Sequence, residues 1–107
     1  MSVLKLPGLS KPVIVELIAC AEGHGNYTWL YITHQPKYLA TVTLKRIEAQ
    51  LPGFIRVHKS SLINPMHVAQ VKFDGYRHMT IHMTNGIIVL VARRRIEQVR
   101  QQLRELA

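Results

Sequence analysis

A disulfide is excluded within this chain, because it holds a single cysteine, Cys20, and one thiol cannot form an intrachain bridge. The small, stapled folds of secreted proteins are thereby set aside, and a reducing cytoplasm is the expected compartment. Long apolar runs are also missing. The most hydrophobic stretch, residues 13–21, is interrupted by Glu16, and residues 1–12 lack the basic segment and apolar core of a signal peptide. No membrane association through a spanning segment is therefore expected. Acidic residues are few: Glu16, Glu22, Glu48, Asp74, Glu97 and Glu105 are the only carboxylate side chains. None lies close in sequence to another, so paired carboxylates for acid–base catalysis are not offered. No Cys/His spacing suits zinc. His78 and His82 would share a strand face about 13 Å apart, too far to hold one ion. These absences lead to an expectation of no enzyme activity, no metal and no cofactor.

Positive charge is abundant by contrast. Fourteen Lys and Arg in 107 residues leave a formal net charge of +8 and an isoelectric point near 10.2. A surface of this kind attracts polyanions, nucleic acid first and anionic lipid second. With 48% hydrophobic residues, the chain has the composition of one ordinary globular domain rather than of a disordered tail.

Along the chain, Pro7, Gly8, Ser10 and Pro12 mark residues 1–12 as an irregular lead-in, and the domain proper is expected over residues 13–107. Val13, Ile14, Val15, Leu17 and Ile18 read as a buried strand. Ala21-Glu22-Gly23-His24-Gly25-Asn26 reads as a polar loop, followed by a strand over residues 27–33 and another over residues 38–42. Leu44, Ile47 and Leu51 recur at helical spacing, with Thr41 or Thr43 as N-cap and Pro52-Gly53 as the stop. After Phe54-Ile55-Arg56-Val57, the polar block His58-Lys59-Ser60-Ser61 is expected as a loop or single turn, and in the following Leu62-Ile63-Asn64-Pro65 the proline disfavours helical geometry at Asn64. Three strands follow, over residues 68–73, 79–83 and 87–91, joined by the two-residue hairpin signals Asp74-Gly75 and Asn85-Gly86. A final helix carries Ile96, Val99, Leu103 and Leu106 on one stripe.

Three places carry candidate chemistry. Arg93, Arg94 and Arg95 stand where that last helix begins, so their charge opposes the positive end of the helix dipole. The same position joins unpaired backbone N–H groups to guanidinium forks, which suits phosphate or a guanine edge. A solvated basic face is the competing reading. His58, Lys59, Ser60 and Ser61 form a second set of phosphate donors, and Asn64 has the amide to pair with an adenine edge. A Ser-rich turn closed by a capping Asn explains the same residues. His24 and Asn26 in the glycine loop likewise suit either contact with a ligand or turn formation alone. Tyr27, Trp29 and Tyr31 alternate along one strand, in the manner of a stacking surface for single-stranded nucleic acid or of a sheet core.

The run from Glu22-Gly23 to Asn26-Tyr27-Thr28, the Thr43-Leu44 that opens a helix, the segment Arg56-Val57-His58-Lys59-Ser60 with Leu62-Ile63-Asn64, and Val91-Ala92-Arg93 together resemble the LytTR DNA-binding domain, over residues 13–106. The resemblance implies a mostly β, elongated antiparallel fold with two short helices. It also implies a bacterial, cytoplasmic transcription regulator of the response-regulator output type that reads duplex DNA at direct repeats, with weak self-association on the DNA. It assigns base contacts to Asn26, Asn64 and Arg93. Backbone contacts go to His58, Lys59, Ser60 and Ser61, with Arg94, Arg95 and His24 beside them. Lys59 and Ala92 stand where the family usually has Arg and Ser, and Gly23-His24-Gly25 is expected to lengthen the first loop, which leaves His24 and Asn26 as alternatives there. The chain is expected to act as a stand-alone domain. Binding of RNA or single strands is the alternative function, and a module for protein partners is the third.

Overall fold

The structure, a computed structural model, describes residues 1–75 and 77–106. Its strands are β1 (Val3–Leu4), β2 (Val13–Ile14), β3 (Ile18–His24), β4 (Tyr27–Ile32), β5 (Tyr38–Ala40), β6 (Ile55–His58), β7 (Ser61–Ile63), β8 (Val68–Phe73), β9 (Met79–Met83) and β10 (Ile88–Leu90). Two helices, α1 (Leu44–Gln50) and α2 (Ile96–Glu105), complete it. All pairings are antiparallel, in a five-stranded sheet of order β5-β4-β3-β7-β6, a three-stranded sheet β10-β9-β8 and the short β1-β2 pair. The mostly β, elongated expectation holds: the molecule measures 42 × 26 × 23 Å.

The five-stranded sheet separates two cores. On one face Ile18, Ala21, Leu30 and Leu62 meet Leu44 and Ile47 of α1, together with Leu4 and Val13. On the other, Cys20, Ile55, Val57 and Ile63 meet Met79, Ile81 and Val89 of the smaller sheet and Ile96 and Val99 of α2. A bulge in β3 makes this division possible. Pairing with β4 shifts between Ile18 and Cys20, and the extra residue reverses the side-chain alternation. Ile18 and Ala21, three apart, therefore reach the same core. In β4 the alternation is regular: Thr28, Leu30 and Ile32 are buried, and Tyr27, Trp29 and Tyr31 face the other way.

Several local expectations shift. The apolar run at residues 13–18 is split, because a 3₁₀ turn at Val15–Leu17 separates β2 from β3. The expected loop at residues 21–26 is mostly strand: Ala21 to His24 pair with β4 across the hairpin, and only Gly25 and Asn26 form its tip. Gly25 takes φ +59 at the first central position, where type II′ hairpins use glycine. The first loop is thus short, not long. The loop expected at residues 58–61 narrows to Lys59 and Ser60, since His58 ends β6 and Ser61 begins β7, which lies between β3 and β6. Residues 1–12 contribute β1 and the buried Leu4. Thr43, not Thr41, caps α1, accepting from the Arg46 N–H at 3.3 Å. The Asn85-Gly86 hairpin is a three-residue loop closed by Met83 N–H to the Ile87 carbonyl, with Gly86 at φ +89. The Asp74-Gly75 turn is also wider than two residues: Asp74 N–H bonds the His78 carbonyl, and residue 76 within it lies outside the described residues.

Candidate nucleic-acid interface

Two backbone hydrogen bonds bring three distant chain segments to one end of the larger sheet. Gly23 N–H donates to the Ser60 carbonyl at 2.9 Å, which sets the β3-β4 tip beside the Lys59-Ser60 turn. Ala92 N–H donates to the Val57 carbonyl at 2.8 Å, which sets the start of the arginine run beside β6. His24, Asn26, Lys59, Arg93 and Arg94 are all exposed there. The sequence names these residues but does not bring them together.

At the first tip, His24 bonds Glu22 Oε1 at 2.9 Å and stacks on Tyr27 with ring centroids 6.2 Å apart. Those contacts engage its ring, whereas no hydrogen bond among the described residues holds the Asn26 amide. In the β6-β7 turn, His58 Nδ1 accepts from Ser60 N–H at 3.2 Å and lies 2.9 Å from Ser60 Oγ. An acceptor at Nδ1 puts the proton of the neutral ring on Nε2, leaving that atom as a donor. Ser61 is half-buried and paired with Glu22. The third segment, Arg93–Arg95, is a 3₁₀ turn leading directly into α2. Ala92 at its cap offers no side-chain oxygen, so the first N–H groups of the turn keep only what the backbone provides. Arg95 is half-buried, and its buried Nε has no hydrogen-bond partner among the described residues.

Asn64 lies elsewhere. It is 5% exposed, its Nδ2 donates to the Ile18 carbonyl at 3.0 Å, and its Oδ1 accepts from Met66 N–H at 3.0 Å. Its own N–H bonds the Ala19 carbonyl, six residues along β3 from Gly25, or about 20 Å at strand rise. In this arrangement the amide closes the core and caps a 3₁₀ turn, with no edge open to a base. The structure therefore groups Asn26 and Arg93 with the Lys59 turn but not with Asn64.

Arg56 had been given no role. Its Nε donates to the His58 carbonyl at 2.8 Å, Nη2 to the Lys59 carbonyl, and Nη1 to Glu48 Oε1 at 2.6 Å. The alternation of buried Ile55 and Val57 puts Arg56 on the opposite face, a signal present in the sequence. Elsewhere, Lys37 Nζ sits 4.3 Å from the Trp29 ring centroid and 5.9 Å from that of Tyr31, covering the aromatic strand face with an ammonium. Burial pushes the Cys20 thiol up to about 11, so it is no nucleophile at neutral pH. Among the described residues, no three His, Cys, Asp or Glu side chains gather where they could hold a metal ion, and no helix is long and apolar enough to cross a membrane.

Fold and site define a small basic β-domain that presents short turns and one helix start from a single end. A family profile described as the LytTr DNA-binding domain matches residues 10–104. The chain belongs to the LytTR family of DNA-binding domains. It is 37% identical over 73 residues to the transcriptional regulatory protein LytR of Staphylococcus aureus strain COL, and 38% identical to that of strain MW2. Each match covers 65% of this chain, which spans 29% of the length of those relatives. In fold it is similar to the LytTr DNA-binding domain of a putative methyl-accepting/DNA response regulator from Bacillus cereus, with a TM-score of 0.80, 23% identity, and coverage of 96% of this chain and 97% of that one.

Proposed function

We propose that this domain binds duplex DNA sequence-specifically in the bacterial cytoplasm and regulates transcription without catalysis or cofactor. The observation that carries the reading is the convergence of the Gly25-Asn26 tip, the Lys59-Ser60 turn and the Arg93–Arg95 turn at one end. Asn26 and Arg93 are the base readers: an amide and a planar fork match base-edge donors and acceptors in the major groove. Lys59, Ser60, His58 Nε2 and Arg94 contact the phosphate backbone, fixing register. Asn64 supports the fold that carries them. One domain presents a small footprint, so selectivity comes from two copies on direct repeats, associating weakly on the DNA. A stacking surface for single strands is less well supported, because Lys37 covers Trp29.

Selection of bound sites from random duplex DNA tests this, followed by titration against salt. Three exposed cations per site, Lys59, Arg93 and Arg94, give a slope of log K against log salt of about −3 for one domain and about −5 for two on a repeat. No enriched sequence, a flat salt response, or stronger competition by single-stranded DNA or RNA would overturn the reading.

A further inference from the structure

We propose that Arg56 is a positioning residue for the DNA-contacting end, holding the Lys59-Ser60 turn in one conformation rather than touching DNA itself; the inference rests on the function proposed above. Arg56 points from β6 toward a turn that has only two residues between paired strands, where register shifts between Arg56 and His58. Such an irregularity takes carbonyls out of the ladder, and the guanidinium meets two successive ones. Its Nε and Nη2, which lie along one edge of the planar group, donate to the carbonyls of His58 and Lys59. The remaining end bonds Glu48 on α1 at 2.6 Å, with the Arg56 side chain only 18% exposed. Helix α1, strand β6 and the turn are thereby tied through one rigid fork, which a lysine ammonium cannot reproduce.

The tie extends beyond the turn itself. The Ser60 carbonyl receives the Gly23 N–H at 2.9 Å, so the position of the turn also sets where the Gly25-Asn26 tip stands. On the other side Arg56 shares with Arg95, Gln98 and Glu48 the lining of a cavity of about 290 Å³ between α1 and α2. Arg56 thus bonds the Lys59-Ser60 turn directly, reaches the Gly25-Asn26 tip through that turn, and lines one cavity with Arg95. A pre-held turn loses less freedom on binding, which is how a residue behind the surface controls recognition at it.

The test uses Arg56→Lys and Glu48→Gln in the whole chain, read by two measurements. The first, amide hydrogen exchange of free protein, needs no DNA: in Arg56→Lys the Ser60 and Gly23 amides should exchange about tenfold faster, with core amides unchanged. The second is binding to the selected duplex and to random duplex across salt. The ratio of preferred to random affinity should fall about tenfold while the salt slope stays at its wild-type value. Glu48→Gln, which leaves both carbonyl bonds, should move both readouts in the same direction by less. In Arg56→Gln, which removes the charge that Arg56→Lys retains, a slope lowered by about one with preference intact would make Arg56 a phosphate contact and overturn the proposal. Unchanged exchange in Arg56→Lys and Glu48→Gln would overturn it as well. Should wild-type protein show no duplex preference, the functional reading fails, and the exchange measurement still decides whether Arg56 braces the turn.

Discussion

Replacing Asn64 by Ala separates a fold-supporting residue from a base reader. The amide bridges two backbone groups in different surroundings. Met66 is 87% exposed, so its N–H regains water when the Asn64 oxygen is removed, at a net cost of about 1 kcal/mol. Ile18 is fully buried, and a carbonyl stripped of its donor there costs about 1–3 kcal/mol. Together the loss is about 2–4 kcal/mol, a large share of the stability of a domain this size. At roughly 4–8 °C per kcal/mol, the Tm should fall by about 8–32 °C. Urea unfolding measures the loss, and binding to the selected duplex at low temperature, where the variant remains folded, measures recognition. The preference for the selected site over random DNA should survive. Asn64→Asp should also destabilise, since it retains the acceptor for Met66 but turns a carboxylate toward the Ile18 carbonyl. An Asn64→Ala protein with the wild-type urea midpoint and no sequence preference would refute the reasoning and return Asn64 to the interface.

Lys59→Ala should weaken preferred and random duplexes alike and lower the salt slope by about one, whereas Arg93→Ala should cost about 1–3 kcal/mol on the preferred site and much less on random DNA; equal factors for Arg93→Ala on both would move it to the backbone set. Gly23→Ala would place a Cβ 2.8 Å from the Leu44 Cβ, and overpacking between a central strand and a helix should cost about 1–3 kcal/mol; an unchanged urea midpoint would contradict that geometry. Cys20 titrates near 9.0 when unfolded and is raised to about 11 in the fold, first by burial. The folded state then holds the proton longer, so its contribution is complete below pH 9 and is lost as pH rises toward about 11, by at most about 3 kcal/mol. The difference in stability between wild type and Cys20→Ala should trace that decline, and a difference flat across this window would refute it.

Patterns confined to neighbouring residues were legible without the structure. A threonine cap before α1, left open between Thr41 and Thr43, the apolar spacing of α1, the alternation in β4, the arginine turn before α2 and the meander of β8 to β10 each depend on contacts within a few residues. Charge balance pointed to a polyanionic partner in the same way. The segment around His58-Lys59-Ser60, taken with Glu22-Gly23 to Thr28, Thr43-Leu44 and Val91-Ala92-Arg93, carried the family resemblance.

Other features arise only when the chain closes on itself. Ala19 enters a bulge because Ile18 and Ala21 both find room in one core, and no periodicity announces that reversal. Leu62 and Ile63 carry no strand signal of their own, and become strand because β3 and β6 flank them. Gly23 reads as a loop glycine, yet it lies in a strand against Leu44. Asn64 has the side chain of a base reader, but its amide meets the Ile18 carbonyl across 46 residues of sequence. The sequence alone determined which groups were available, because residue type sets charge, hydrogen-bonding capacity and local preference. Tertiary structure decided which remained exposed, because burial and long-range pairing engaged Asn64 and Arg56 inside the fold and left Asn26, Lys59 and Arg93 outside it.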